Sequence, residues 1–313
     1  MFQLFKRNFK SKIVGVAHGR PDHITQDSNV QLNLNLPRRT EPDRNFSKGG
    51  RSFYFFDFDD NIAVLSTPSV IFHKVTGHEL ALSSKEFAEH SGHIGKLGMY
   101  RDYEIRAEGL NGSFRHFRDR DMKLLHRLLG KKQIFIDDFA HALGFPDFHW
   151  KGPSWRHFYH AVFNQRPVSL ITARGHHPET IKDGIRLLVK EQHIPHEPNY
   201  LSLYPVNFPQ VREQLSAGST LTVAQLKQAA IRASVEEAIR IYGYSPHHRF
   251  GMSDDDPHNI RLILEEMTRL KRDHPQMSFF VFDTHKGQVV KHEVFEFHTE
   301  EHSLTRQDQL QLF

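Results

Sequence analysis

Three short apolar runs in this 313-residue chain stop at residues able to do chemistry. Phe53-Tyr-Phe-Phe56 ends at Asp57-Phe-Asp59-Asp-Asn61, and Val168-Ser-Leu-Ile171 ends at Thr172-Ala-Arg-Gly175. His248-Arg-Phe-Gly-Met252 ends at Ser253-Asp-Asp-Asp256. Asp57 and Asp59 stand two apart, so on an extended chain both side chains point the same way. Such a pair repels itself unless a cation neutralises it or one member keeps a proton. With the acids at Asp254 and Asp255 it would form an all-oxygen site of the kind that suits Mg2+. One strand followed by acids is readily explained as helix capping. Three with matching chemistry argue for a shared site, because ligands of open parallel sheets bind beyond the carboxyl ends of the strands.

The elements that must position these residues follow from the same pattern. Unalternated apolar runs halted by acids read as buried parallel strands. Pro178–Glu191, Val223–Tyr242 and Ile260–Arg272 read as helices, and Ser278–Phe282 and Gln288–Phe297 as late strands. Val70–Lys74 and Glu79–Leu82 flank a Thr76-Gly77 turn, which predicts a β-hairpin. Strands alternating with helices predict an α/β layered fold. Ile134-Phe-Ile-Asp137-Asp138 imitates a site strand but lacks the i, i+2 acid pair and runs into a helical stretch, so it reads as structural.

Composition narrows the chemistry. The chain has no cysteine, which excludes disulfides, thiolate metal sites and cysteine nucleophiles. No apolar run is long enough to span a membrane, and Met1–Lys12 is too broken to be a signal peptide, so a cytoplasmic location is expected. The formal net charge of +4 is unevenly placed. Residues 1–51 hold ten basic and four acidic side chains, and the remainder 31 and 33. The basic sign belongs to a flexible leader, which argues against a nucleic-acid partner. Phe2, Leu4, Phe5 and Phe9 among lysines and arginines suit at most a peripheral membrane contact through residues 1–12, and Val30–Leu36 alternates like an edge strand. The 24 histidines include no His-Glu-x-x-His, and adjacent His176 and His177 cannot easily share one metal. One of them lining the site is the expectation.

Together these motifs resemble those of the haloacid dehalogenase-like (HAD) phosphohydrolases. The first motif, an apolar strand followed by Asp-x-Asp-x-Thr, matches Asp57-Phe-Asp59-Asp-Asn61 except at Asn61. The second, a strand ending in Thr or Ser, matches Leu170-Ile-Thr172, and the fourth matches Ser253-Asp254-Asp255 with Asn259 beyond. The third is a lysine at loose spacing, assigned to Lys227; Lys182 and Lys190 sit less suitably on the helix directly after the second motif. The resemblance spans about residues 52–297. It implies a three-layer Rossmann-like core with a central parallel sheet, from residues 52–66 and 166–300. It also implies a flap hairpin and a cap-like insertion over residues 67–165, between a 1–51 extension and a 301–313 tail.

The resemblance further implies Mg2+-dependent hydrolysis of phosphate monoesters on a small molecule or phosphoprotein. Asp57 would form an aspartyl-phosphate, with Asp59 as acid and then base. Family members with this second acid are typically phosphatases or phosphotransferases. Asp57, Asp59 and Asp254 or Asp255 would hold Mg2+. Thr172, Ala173, Arg174, Asn61 and Lys227 would contact substrate. Arg101, Arg106, Arg115, Arg118, Arg120 and Lys123 are candidate substrate contacts in the insertion, with Trp150, Trp155 and Tyr159 as apolar walls. Two other readings remain open: a weakly catalytic binding or regulatory module, and a phosphatase for nucleotides or nucleic-acid ends.

Overall fold

A computed structural model describes residues 39–107, 109, 111–121, 131–287 and 289–304. Thr40 onward forms one compact unit. The expected edge strand at 30–36, the leader face at 1–12, Lys123 and most of the polar tail lie outside the described residues. No described helix is long and apolar enough to cross a membrane.

The fold is α/β with a mostly parallel central sheet. β1 (Ser52–Phe56), β5 (Pro167–Thr172), β6 (Asn199–Pro205), β7 (Arg249–Asp254) and β8 (Ser278–Asp283) run parallel. β9 (Val290–Val294) and β10 (Thr299–Ser303) complete one edge antiparallel, giving the order β10-β9-β8-β7-β1-β5-β6. β1 sits between β7 and β5, pairing Phe56 with Ser253 on one side and Leu170 on the other. The three reactive strand ends are therefore neighbours.

The aromatic run of β1 is unalternated because both faces of the sheet are covered. Phe53 and Phe55 pack with Leu226, Ile231 and Val235 of α7 (Val223–Tyr242) and Ile263 and Met267 of α8 (Pro257–Asp273). Tyr54 and Phe56 pack on the other face with Phe135 and Phe139 of α2 (Ile134–Ala142) and Phe158 of α4 (Trp155–Phe163). Ile181, Ile185 and Leu188 of α5 (Pro178–Lys190) join the same cluster. Each fully buried side chain of this kind contributes roughly 1.5–3 kcal/mol. Helix starts agree with the sequence: Thr222 and Gln225 form a capping box on α7, and α5 and α8 each begin with proline behind a capping side chain.

Between β1 and α2 lies a smaller antiparallel sheet, β3-β2-β4, of β2 (Ser69–His73), β3 (Glu79–Leu82) and β4 (Tyr103–Glu104). The hairpin turn falls where expected, with Gly77 at φ +70°, a left-handed conformation that glycine adopts without strain. Ile71, Leu82, Ile94 and Tyr100 give this sheet its own core.

Two expected boundaries move. Residues 134–163, placed in the insertion by sequence, supply α2 and α4 to the main core, and Trp150 and Trp155 are buried there rather than walling a site. The helical period of Trp155–Phe163 is hidden because His157, a polar residue, is among its buried positions. The last dozen residues of the leader also belong to the body. Asp43 accepts hydrogen bonds from the Ser52 amide and hydroxyl, both at 2.8 Å, and the Glu41 amide donates to Asn164 Oδ1 at 2.7 Å.

The chain returns to β1 through a close backbone approach. Gly152 N donates to Ile62 O at 2.9 Å, and a Cβ at 152 would lie 2.2 Å from Asn61 O. Gly152→Ala should therefore lower stability by roughly 1–3 kcal/mol, readable as a reduced urea midpoint.

Candidate active site

β7, β1 and β5 end side by side, so their last residues converge. Asp57 N donates to Ser253 O at 2.9 Å, continuing the β1–β7 ladder one residue into the site. Asp57 and Asp254 are both buried. Between them stands Lys227 of α7, itself 1% exposed. Its Nζ lies 2.7 Å from Asp254 Oδ2 and 3.1 Å from Asp57 Oδ1. The first contact is a hydrogen bond. The second is an ion pair without hydrogen-bond alignment, leaving Asp57 Oδ1 buried and without a hydrogen-bond donor among the described residues.

The three acids at the end of β7 divide their work. Asp254 Oδ1 accepts from Asp256 N at 3.0 Å and from Asn259 Nδ2 at 3.2 Å. Asp256 caps α8 by accepting from His258 N at 2.8 Å. Asp255 is the least committed, and its carboxylate belongs with those of Asp57 and Asp254 in a cluster whose oxygens lie within 4.8 Å of one another. The donor set is all carboxylate, which fits a hard divalent cation such as Mg2+.

Electrostatics in this corner is dominated by burial. Burial pushes the Asp57 carboxyl well above the carboxylate range; Lys227 opposes this, while Asp254, Asp255 and Asp59 add to it. Asp255 is pushed up to about 7 by burial, then by Asp254 and Asp60. Asp60, in a left-handed turn at φ 54°, is pushed up to about 6 by burial and then by Asp59. Burial opposes the Lys227 charge, yet Asp254 and Asp57 outweigh it and raise its pKa.

Asp59 is held from another side. Arg174 Nε lies 3.0 and 2.9 Å from its two oxygens, and Arg174 Nη2 2.6 Å from Oδ1. Thr172 Oγ1 reaches Asp59 Oδ2 at 3.4 Å. The guanidinium is wholly buried between the rings of Phe117 and Phe135, at 5.1 and 4.6 Å from their centroids. Arg174 Nη2 also donates to Thr67 Oγ1 at 3.0 Å, and the Thr67 and Ser66 hydroxyls donate to Asp138. Arg174, expected from sequence to contact substrate, is thus committed to Asp59. Asp138, read as structural, supports that clamp.

Asn61 is likewise inside the scaffold. Its Nδ2 donates to Asp57 O at 3.1 Å and Ser253 O at 3.0 Å, and its Oδ1 accepts from the Ser253 and Thr284 hydroxyls at 3.1 and 2.9 Å. With no exposed surface, it ties the ends of β1, β7 and β8 together and presents nothing to a substrate. Ser154 hydrogen-bonds the same Ser253 hydroxyl. Sequence reasoning missed Ser154, Thr284, Thr67 and Asp60; the first two lie far from the motifs in sequence, whereas Thr67 follows Asn61 by six residues and Asp60 was visible as a third acid in the turn. Thr172 is buried at the end of β5, and the backbone of Ala173 accepts from Asn207 Nδ2 at 2.6 Å. The chain matches no protein-family model, no curated protein and no solved structure.

His176 does not line the site. It is buried against the Phe135 ring, and neither ring nitrogen has a hydrogen-bond partner among the described residues. Burial, then Arg174, push its pKa down to about 2. The native state therefore keeps His176 neutral while the unfolded chain binds a proton below about pH 6.5. Stability from this group is full above that pH and falls as pH drops toward 2, by roughly 2 kcal/mol between pH 6.5 and 5. Urea unfolding at the two pH values should show this loss shrink in His176→Phe.

Lys227 invites a sharper test. Lys227→Met leaves two buried carboxylates without their cation and should cost about 3–5 kcal/mol in unfolding free energy. Adding Asp254→Asn should recover part of the loss, because it removes one of the two unbalanced charges.

Proposed function

We propose that the protein is a Mg2+-dependent phosphomonoesterase of the HAD-like type, working through an aspartyl-phosphate at Asp57. The observation that carries this reading is the meeting of Asp57, Asp59, Thr172, Lys227, Asp254 and Asp255 at three adjacent strand ends.

In this reading a carboxylate oxygen of Asp57 bonds to phosphorus as the bond to the leaving oxygen breaks. Asp59 delivers a proton to that leaving oxygen. Water then attacks the acyl phosphate, passing its proton to Asp59 and freeing phosphate and the Asp57 carboxylate. Arg174 fixes the direction of Asp59 through two oxygens, a pre-set geometry that spares ordering in the transition state. Lys227 keeps Asp57 aligned and balances part of its charge, and Thr172 offers a hydroxyl beside the reacting group. Asp57, Asp255 and Asp254 would hold Mg2+, which when bound neutralises charge on the phosphoryl oxygens and carboxylates.

The test is hydrolysis of an aryl phosphate with Mg2+. Asp57→Asn should abolish turnover and also capture of beryllofluoride, seen as loss of the thermal stabilisation it gives wild type. Asp59→Asn should lower kcat by roughly 10²–10⁴ while keeping beryllofluoride capture. EDTA should silence wild type reversibly. Turnover that survives Asp57→Asn, or that EDTA leaves untouched, would falsify the mechanism.

A further inference from the structure

The segment after the small sheet returns to the candidate site carrying a concentration of arginine that the chemistry above does not use. Gly175, next in the chain after Arg174, donates its N–H to Phe117 O at 2.7 Å, and Arg118 pairs with Gly175 as an isolated parallel bridge. Thr172 is three residues from Gly175, roughly 10 Å of chain at most. Here a groove of about 360 Å³ is lined by Arg115, His116, Arg118 and Arg120, with Asn111 and the acids Asp119 and Asp121.

The groove's three arginines are matched in number by Asp119, Asp121 and the Glu79 that holds Arg115, so what distinguishes it is pairing and not net charge. Asp119 Oδ2 accepts from His177 N at 2.9 Å and Thr180 Oγ1 at 3.1 Å, so it faces the start of α5. Arg115 is held by Glu79 through two bonds of 3.0 and 2.6 Å. Arg118 and Arg120 have no carboxylate partner among the described residues, although Asp119 and Asp121 line the same groove. Arg186, Arg232, Arg240 and Arg269, by contrast, are each paired with acids. The pKa of His116 is lowered by burial first and then by Arg115 and Arg120, with Glu79 and Asp138 opposing.

The groove is also pre-set. Arg118 is pinned by its bridge to Gly175, and Arg120 by Gln133, whose side chain accepts from its N–H at 2.9 Å and donates to its carbonyl at 3.1 Å. Two guanidinium forks on fixed backbone suit an oxyanion, which accepts several charge-assisted hydrogen bonds at once.

We propose that this groove binds a second anionic group of the substrate, making the natural substrate a small phosphate ester with a further phosphate or carboxylate at its far end. The assignment rests on the phosphatase reading of the adjacent site. It adds that Arg118 and Arg120 set substrate preference without touching the reacting phosphate.

Three probes of equal chain length test it: an alkane bisphosphate, an alkyl phosphate ending in a carboxylate, and the plain alkyl monophosphate. Wild-type full-length protein should show kcat/KM roughly ten-fold or more above the monophosphate for at least one of the first two, by the worth of a charged hydrogen bond. Which one prevails identifies the second anion. In Arg118→Ala/Arg120→Ala the preference should fall toward one, with the loss in KM and with the melting temperature retained. Equal handling of all three probes by wild type overturns the assignment, as does a variant that keeps the preference. Calorimetric titration of Asp57→Asn with the same probes separates this failure from failure of the phosphatase reading. If no probe is turned over but the bisphosphate or carboxylate probe binds and the arginine variant loses that binding, the reading falls and the groove stands; if neither binds, both fall.

Discussion

The structure of the site depends on one buried ion triad: Lys227 between Asp57 and Asp254. Parallel pairing of β1 with β7 forces the two carboxylates to the same end of the sheet, one strand apart. Neither is exposed enough for water to screen it. A lysine delivered from the second turn of α7 is what makes this juxtaposition tolerable, and its helix neighbours Leu226, Ala230 and Ile231 are buried in the core. A buried ion pair is weak as a source of net stability. Its value here is positional, since the lysine fixes both carboxylates relative to each other while leaving one oxygen of Asp57 without a hydrogen bond.

A second cation does the same for Asp59, and the two do not share partners. Arg174 belongs to the loop after β5 and is backed by Thr67 and Asp138, whereas Lys227 belongs to the other face of the sheet. The acids of the first motif, two residues apart, are thereby pulled toward different elements. Asn61 completes the separation by anchoring the turn that follows them to β7 and to Thr284. In the proposed reaction, where Asp57 attacks and Asp59 moves protons, the upward push of burial on Asp57 is what a bound divalent cation would have to reverse.

Much of this was legible in the residues. The uninterrupted aromatic run of β1 and the helical periods of α5, α7 and α8 are one-dimensional signals of burial, and they placed the elements to within a few residues. The convergence of strand ends followed from the parallel arrangement. The strand β6 and the helix α4 escaped as local elements, and so did contacts between residues far apart in sequence. Arg174 sits within the second motif, yet only the fold shows that its guanidinium turns toward Asp59 instead of outward. Asn61 occupies a motif position, but its four partners come from residues 57, 253 and 284. α4 was hidden because it buries His157 and exposes Arg156, blurring the apolar stripe.

The balance of charge around these acids is uneven. Asp57, Asp59, Asp60, Asp254 and Asp255 gather around two cations, Lys227 and Arg174, so the rim is left with more acid than the protein neutralises. The upward shifts of Asp60 and Asp255 express that surplus as well as burial. A phosphate dianion would meet repulsion at such a rim, and in a partly buried site that repulsion is weakly screened. Attraction from the arginines near residues 115–120 acts on the far end of a ligand and cannot offset charge at the reacting end. In the proposed reaction a divalent cation among the carboxylates would reverse the sign where it matters, turning an acidic corner into a place where an anion can stay.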